Sequence, residues 1–89
     1  SMTISPYEFD SPGTYRIKVS GTLDSAWSDR LGGMTITTRS EDDPPVTTLY
    51  GELADEAALA GVLSALYNLG YSLQSLRKIK PDRLFETEA

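Results

Sequence analysis

The sequence predicts an α+β fold in which a four-stranded antiparallel sheet carries two helices on one face. Four segments alternate apolar and polar residues, as half-buried strands do. Two further segments each begin after an Asp that can cap a helix and end at a Gly that can stop one. The segments follow one another as strand, helix, strand, strand, helix, strand, which is the ferredoxin-like βαββαβ order. In this order the first and third strands are expected at the centre of the sheet.

The chain of 89 residues is long enough for one domain with a thin core. Its hydrophobic content of 39% and charged content of 24% are typical of a folded globular protein. We expect an N-terminal arm over residues 1–13, a single ferredoxin-like domain over residues 14–80 and a C-terminal tail over residues 81–89. A domain this small would gain stability from a partner or a second copy.

The first half of the domain begins with the stretch YRIKVSGTL, Tyr15–Leu23, whose regular alternation predicts a strand. Asp24 follows as the N-cap of a helix of about two turns, which Gly32 and Gly33 end by supplying left-handed backbone. The next stretch, Met34–Ser40, alternates again and is rich in β-branched residues, so it predicts the second strand.

The second half begins with the acidic stretch Glu41–Pro45, where paired prolines predict a turn. A third strand is predicted over Val46–Leu53. Asp55 then caps a longer helix that ends at Gly70, because apolar residues recur between them at three- and four-residue spacing. The stretch Tyr71–Ile79 predicts a fourth strand with imperfect alternation, which a bulge or an edge position would explain.

The sequence contains no Cys and no His. This excludes disulfides, zinc sites built on Cys or His, and Ser-His-Asp triads. We therefore expect no catalytic residue, no cofactor and no bound metal. An enzyme that uses carboxylates alone is the remaining catalytic alternative. Its candidate residues lie near the two helix starts: Asp24, Asp29, Glu52, Asp55 and Glu56.

The formal net charge of −5 argues against a nucleic-acid partner. The strand residues that point away from the helices should form an open sheet face with cations, hydroxyls and one aromatic, which lacks the aromatic pattern of RNA-recognition modules. No segment resembles a signal peptide or is apolar over the length of a bilayer, so we expect a cytoplasmic protein that binds no membrane. The expected open face comprises Arg16, Lys18, Ser20, Thr35, Thr37, Arg39, Thr48, Tyr50 and Gln74.

Trp27 is the only Trp in the chain and precedes Leu31 by four residues, so both are expected on one helix face packed against the sheet. If it is partly exposed, Trp27 would instead anchor a partner. We predict a non-catalytic module, with regulation among its roles, that forms a homodimer or docks on a protein partner. The candidate interaction residues are Trp27, Arg16, Lys18, Arg39 and Tyr50. The alternative is a sensor similar to ACT domains, which share this topology and bind a small-molecule effector between subunits.

The stretches LDSAWSDRLGGMTI and GELADEAALAGVLSALYNLGYSLQSL resemble a family of small uncharacterised bacterial proteins, found in cyanobacteria and related groups. The shared pattern is Leu-Asp-x-x-Trp, Gly-Gly and Asp-x-x-Ala-Leu-x-Gly-x-Leu. The resemblance covers Tyr15–Leu76 and implies no activity, since none is assigned to that family. The residues that match the pattern are Leu23, Asp24, Trp27, Gly33, Gly51, Asp55, Ala58, Leu59, Gly61 and Leu63.

Overall fold

The computed structural model describes residues 12–79, which contain four strands, one α-helix and one 3₁₀ helix. All of the predicted C-terminal tail and nearly all of the predicted N-terminal arm lie outside the described residues. Gly13, assigned to the arm from the sequence, is the first residue of β1. The elements are β1 (Gly13–Ser20), the 3₁₀ helix (Ser25–Arg30), β2 (Thr35–Arg39), β3 (Val46–Leu53), α1 (Glu56–Asn68) and β4 (Ser72–Ile79).

The four strands form one antiparallel sheet in the order β2-β3-β1-β4. The predicted α+β class is therefore confirmed, and the central positions of β1 and β3 are as expected. Among the described residues, β2 and β4 form the two edges of the sheet. A partner that adds a strand to this sheet would therefore pair with β2 or with β4.

The core lies between one face of the sheet and the helices. Alternate residues of β1 are fully buried there, which is why this strand shows the clearest alternation in the sequence. Trp27 of the 3₁₀ helix packs against the same core cluster as α1, so both helical segments lie on one side of the sheet. The buried apolar residues are Tyr15, Ile17, Val19, Leu23, Leu31, Met34, Leu49, Leu53, Leu59, Val62 and Leu66.

The first predicted helix is a six-residue 3₁₀ helix rather than two turns of α-helix. Asp24 caps it as expected, since its carboxylate accepts a hydrogen bond from the Ala26 N–H at 2.9 Å. The segment is too short to repay the cost of nucleating an α-helix, and it contains two Ser and one Asp, which are weak helix formers. Ser28 also anchors the following loop, because its hydroxyl donates to the Met34 carbonyl oxygen at 2.6 Å.

The second predicted helix is confirmed as α1. The Asp55 carboxylate accepts from the Ala58 N–H at 2.9 Å, which satisfies one of the free donors of the first turn. At the other end, the Tyr71 N–H donates to the Leu66 carbonyl and the Gly70 N–H donates to the Tyr67 carbonyl. This pair of bonds is a Schellman motif, which requires the left-handed backbone of Gly70, whose φ is +91°.

The imperfect alternation of β4 has both of the causes that the sequence suggested. β4 is an edge strand, and its register against β1 shifts by one residue, so that Ser75 lies opposite Lys18 while Leu73 lies opposite Val19. Gln74 therefore has no cross-strand partner. The bulge leaves Gln74 outside the paired ladder, and Ser75 and Arg77 take the positions of β4 opposite Lys18 and Arg16 on the open face.

Thr47 is the one polar residue that is fully buried in the described chain, and it joins three segments. Its hydroxyl donates to the Gly21 carbonyl oxygen at 2.6 Å and lies 2.8 Å from the Thr38 hydroxyl. We expect Thr47→Val to lower the free energy of unfolding by about 1 to 3 kcal/mol. Val has nearly the same shape as Thr, so the packing is kept, but the Gly21 carbonyl oxygen and the Thr38 hydroxyl lose their hydrogen-bond partner.

Urea denaturation measures this change in unfolding free energy. The control is Thr37→Val, the same substitution at an exposed position of β2, which should change stability by less than about 0.5 kcal/mol. Equal effects at the two positions would show that the Thr47 hydroxyl contributes nothing specific.

Candidate interaction surfaces

The open face of the sheet carries a cluster of three cations at its centre. The register places Arg16 of β1 directly between Tyr50 of β3 and Arg77 of β4. Lys18 follows two residues later on the same face, between Thr48 and Ser75. Arg16, Lys18 and Arg77 are hereafter called the cationic strip.

The cationic strip is not neutralised by the acidic residues of the described chain. Within residues 12–79, the ion pairs join Arg39 to Glu41 and Asp42, and none involves Arg16, Lys18 or Arg77. Directly opposed residues on neighbouring strands have Cβ atoms about 4.5 to 5.5 Å apart, so Arg16 and Arg77 face each other as like charges. The arrangement destabilises the isolated sheet locally and favours an anion on this face.

Arg39, the third predicted cation of the open face, is separate from the strip. It ends β2 at the edge of the sheet, where its guanidinium lies 3.2 Å from the Glu41 carboxylate and 4.0 Å from that of Asp42. These contacts are solvated, since 66% of the Arg39 side chain is exposed. Arg39 therefore balances the acidic turn instead of extending the strip.

Trp27 lies on the helical side of the sheet, away from the cationic strip. It is half-buried and packs against the core cluster, while the Arg30 guanidinium lies 5.3 Å from the centroid of its ring. Residues three apart eclipse each other in a 3₁₀ helix, so Arg30 covers the exposed side of the ring. Leu31, predicted to share the Trp27 face, is fully buried.

The sequence-predicted interaction residues thus divide into three places. Arg16, Lys18 and Tyr50 lie together on the open face, Arg39 is at its edge, and Trp27 is on the opposite side of the sheet. Arg77 was missed because the bulge at Gln74 reverses the alternation of the second half of β4. The irregular spacing of Leu73 and Leu76 was the one sequence signal of that shift.

A second candidate surface runs between α1 and the edge strand β4. A groove with a volume of about 630 Å³ opens there, and a smaller hollow that shares Leu63 continues it toward the start of α1. Leu73 is 53% exposed and Tyr67 is 79% exposed at its rim. We call this surface the α1–β4 groove. Its lining residues are Val19, Leu63, Leu66, Tyr67, Gly70, Tyr71, Ser72 and Leu73.

The acidic residues near the helix starts serve separate local contacts. The carboxylates of Asp24 and Asp55 each accept from a backbone N–H of the helix that they precede. Glu52 lies on β3 opposite Thr14, on the open face. No group of three acidic side chains that could hold a metal ion occurs within residues 12–79.

Tyr15 is the ionisable residue of the core. Burial raises the pKa of its hydroxyl above the usual value of 10.0, and the nearby negative charge of Glu56 raises it further. The Lys78 ammonium lies 5.8 Å from the centroid of the same ring. Tyr15 is therefore held as a neutral phenol in the packed core, beneath the end of β4.

A family model described as Domain of unknown function (DUF8691) matches residues 14–77. The match extends from β1 to β4, and it includes both the cationic strip and the α1–β4 groove. No curated protein and no solved structure was found to match the chain. Neither helical segment of residues 12–79 combines the length and apolar character needed to cross a membrane.

Proposed function

The chain belongs to the DUF8691 family of domains of unknown function, and we propose that it is a non-catalytic interaction module that pairs with a second copy of itself. Pairing takes place along the edge strand β4 and the adjoining α1–β4 groove. The observation that carries the proposal is the coincidence of an open sheet edge with exposed apolar side chains on the same side of the domain.

β4 is the better of the two edges for adding a strand. It has eight residues and, within the described chain, pairs on one side only, with β1. Its outer side therefore offers backbone donors and acceptors along its length. β2 has only five residues and leads into the charged contacts of Arg39 with Glu41 and Asp42. Short edges resist pairing, so β4, although it carries a bulge and two cations, offers the longer run of backbone groups for an added strand.

Two of the exposed apolar side chains, Leu73 and Tyr67, line the α1–β4 groove beside β4. Leu73 projects from β4 itself, and Tyr67 and Leu69 lie at the end of α1. Protein interfaces bury such groups at the centre of the contact, and about 800 Å² per partner suffices for a stable one. The α1–β4 groove supplies the apolar centre, while β4 supplies the directional hydrogen bonds.

A two-fold axis at the middle of β4 gives this pairing a suitable charge pattern. In an antiparallel pair centred on Leu76, Arg77 of one copy faces Ser75 of the other on the same face of the sheet, so two arginines do not meet. A dimer formed through the open sheet faces lacks this advantage. The same patch would face itself there, and two cationic strips would repel each other.

The ferredoxin-like interpretation is compatible with pairing along β4, with the 3₁₀ helix in the place of the first helix. The ACT-like sensor is the weaker alternative because the α1–β4 groove offers few polar groups to orient an effector. The Tyr71 hydroxyl, which could serve there, already donates to the Thr22 carbonyl oxygen at 2.6 Å. An apolar groove of this kind suits the side chains of a second protein surface better.

Leu73→Lys tests the proposal, since a charge on the edge strand blocks strand pairing and removes an apolar contact. We expect the unmodified chain to dimerise in sedimentation equilibrium over a concentration series. We expect Leu73→Lys to weaken the dimer by at least about tenfold, which corresponds to about 1.4 kcal/mol. Circular dichroism verifies that the variant is folded.

Thr37→Lys is the matched control, because it places the same charge at an exposed position of the other edge strand, β2. It should leave the dimerisation constant within about twofold, as expected for a charge remote from an interface. A chain that is strictly monomeric at high micromolar concentration contradicts the proposal. So does a dimer that Thr37→Lys weakens and Leu73→Lys does not.

A further inference from the structure

We propose that the cationic strip binds an extended acidic peptide of a protein partner, with carboxylates on alternate residues. This site lies on the open face of the sheet, so it is distinct from the dimer contact at the α1–β4 groove. Its parts are Arg16, Lys18 and Arg77, with Tyr50 at one side.

The first observation is the direct opposition of Arg16 and Arg77 across β1 and β4. Like charges in this position destabilise a sheet. The chain has 13 acidic residues and a net charge of −5, yet none of those within residues 12–79 forms an ion pair with the strip. Within residues 12–79 this repulsion has no counter-charge, so an anionic group of another molecule would relieve it.

The second observation is the spacing of the cations along β1. Arg16 and Lys18 are two residues apart and share one face, a separation of about 6.6 to 6.8 Å in a strand. An extended peptide repeats its side chains at the same interval on each of its sides. Carboxylates on alternate residues can thus reach Arg16 and Lys18 together, while the Arg77 guanidinium binds one of them from the side, with room for two parallel hydrogen bonds.

The third observation is the surface around the strip, which distinguishes a peptide from other anions. Nucleic acid is disfavoured because Tyr50 is the single aromatic on this face among residues 12–79, which is too few for base stacking. Tyr50 is 47% exposed beside Arg16 and can cover the aliphatic part of a peptide. Hydroxyls of Thr37 and Thr48 border the strip and can bind peptide backbone groups.

The experiment uses the full chain and a fluorescein-labelled peptide of alternating Glu and Thr, followed by fluorescence anisotropy. A peptide of alternating Gln and Thr is the uncharged match. We expect the chain to bind the Glu peptide and not the Gln peptide. Binding should weaken when the ionic strength rises from about 0.05 to about 0.3 M, because Lys18 and Arg77 are exposed.

The variant that tests the site is the double substitution Arg16→Gln with Arg77→Gln, and Lys18→Gln is a second, independent variant. The double variant should weaken peptide binding by about tenfold, since each exposed ion pair contributes modestly. Its melting temperature should equal or exceed that of the unmodified chain because the like-charge contact is removed. Loss of binding without loss of folding assigns the effect to the strip.

Arg39→Gln is the matched control, since it removes one cation from the sheet edge outside the strip. It should change the affinity by less than about twofold. Three results overturn the proposal: no peptide binding at low ionic strength, an equal loss of affinity with Arg39→Gln, and tighter binding of a single-stranded RNA of the same length. The last result would assign the strip to nucleic acid.

Discussion

Gly32→Ala is expected to lower the free energy of unfolding by about 2 to 3 kcal/mol. Backbone strain and steric overlap contribute separately to this loss of stability. The backbone of Gly32 is left-handed, with φ of +71°, where an L-residue is strained by roughly 1 kcal/mol or more. A Cβ built there would also lie 2.7 Å from Leu53 Cδ2 and 3.2 Å from Val62 Cγ2, so these two buried side chains must shift, which costs about 1 kcal/mol or more. In a domain of this size the melting temperature should fall by about 10 to 20 °C.

Gly33→Ala separates the two terms. Gly33 has the same φ of +71°, but a Cβ there meets no atom within 4 Å. Its substitution should cost only the backbone term, about 1 kcal/mol. Thermal and urea denaturation of both variants at one protein concentration measure the difference, because any dimer adds concentration-dependent stability. Equal losses at the two glycines would show that the overlap with Leu53 and Val62 is relieved without cost.

The strands and α1 were predictable because their patterns are local. The alternation of β1 follows directly from a strand with one buried face, and the ends of α1 are set by residues next to it, the Asp55 side chain at the start and the left-handed Gly70 at the end. The 3₁₀ helix was less predictable. Asp24 and the two glycines mark its ends equally well for either helix type, and only its short length and weak helix formers distinguish them.

The candidate surfaces were predictable only in part, because they depend on register between strands. Arg16, Lys18 and Tyr50 could be assigned to the open face from β1 and β3, which pair without irregularity. Arg77 could not, since one bulge at Gln74 exchanges the faces of the residues that follow it. The α1–β4 groove also depends on a tertiary fact, the position of β4 at the sheet edge beneath the end of α1.

The two proposed contacts are compatible because β4 contributes different residues to each. Leu73, opposite Val19, lies on the core side of the sheet, whereas Arg77, opposite Arg16, lies on the open side. Pairing of two copies through β4 would join their sheets into one and place two cationic strips on one continuous face. An acidic partner with two suitable segments would then bind the dimer more tightly than the monomer, through effective concentration alone.

Leu31→Ala is expected to destabilise the domain more than Trp27→Ala, although Trp has the larger side chain. Leu31 is fully buried at the end of the 3₁₀ helix, so its truncation leaves a cavity that costs about 2 to 4 kcal/mol. Trp27 is half-buried, so its substitution removes only part of the buried area of a Trp and the contact with Arg30. That loss amounts to about 1 to 2 kcal/mol.

The comparison decides which role Trp27 has, because a core residue and an interaction residue differ in what their loss changes. Urea denaturation followed by circular dichroism gives the two unfolding free energies without relying on the Trp signal. Sedimentation equilibrium of Trp27→Ala gives its effect on the dimer. The proposed contact lies at β4, on the other edge of the sheet from β2, which the 3₁₀ helix contacts, so the dimerisation constant should stay within about twofold. A loss of stability greater than that of Leu31→Ala would make Trp27 the main core residue of this half, and a large loss of dimer would move the interface from β4 to the 3₁₀ helix.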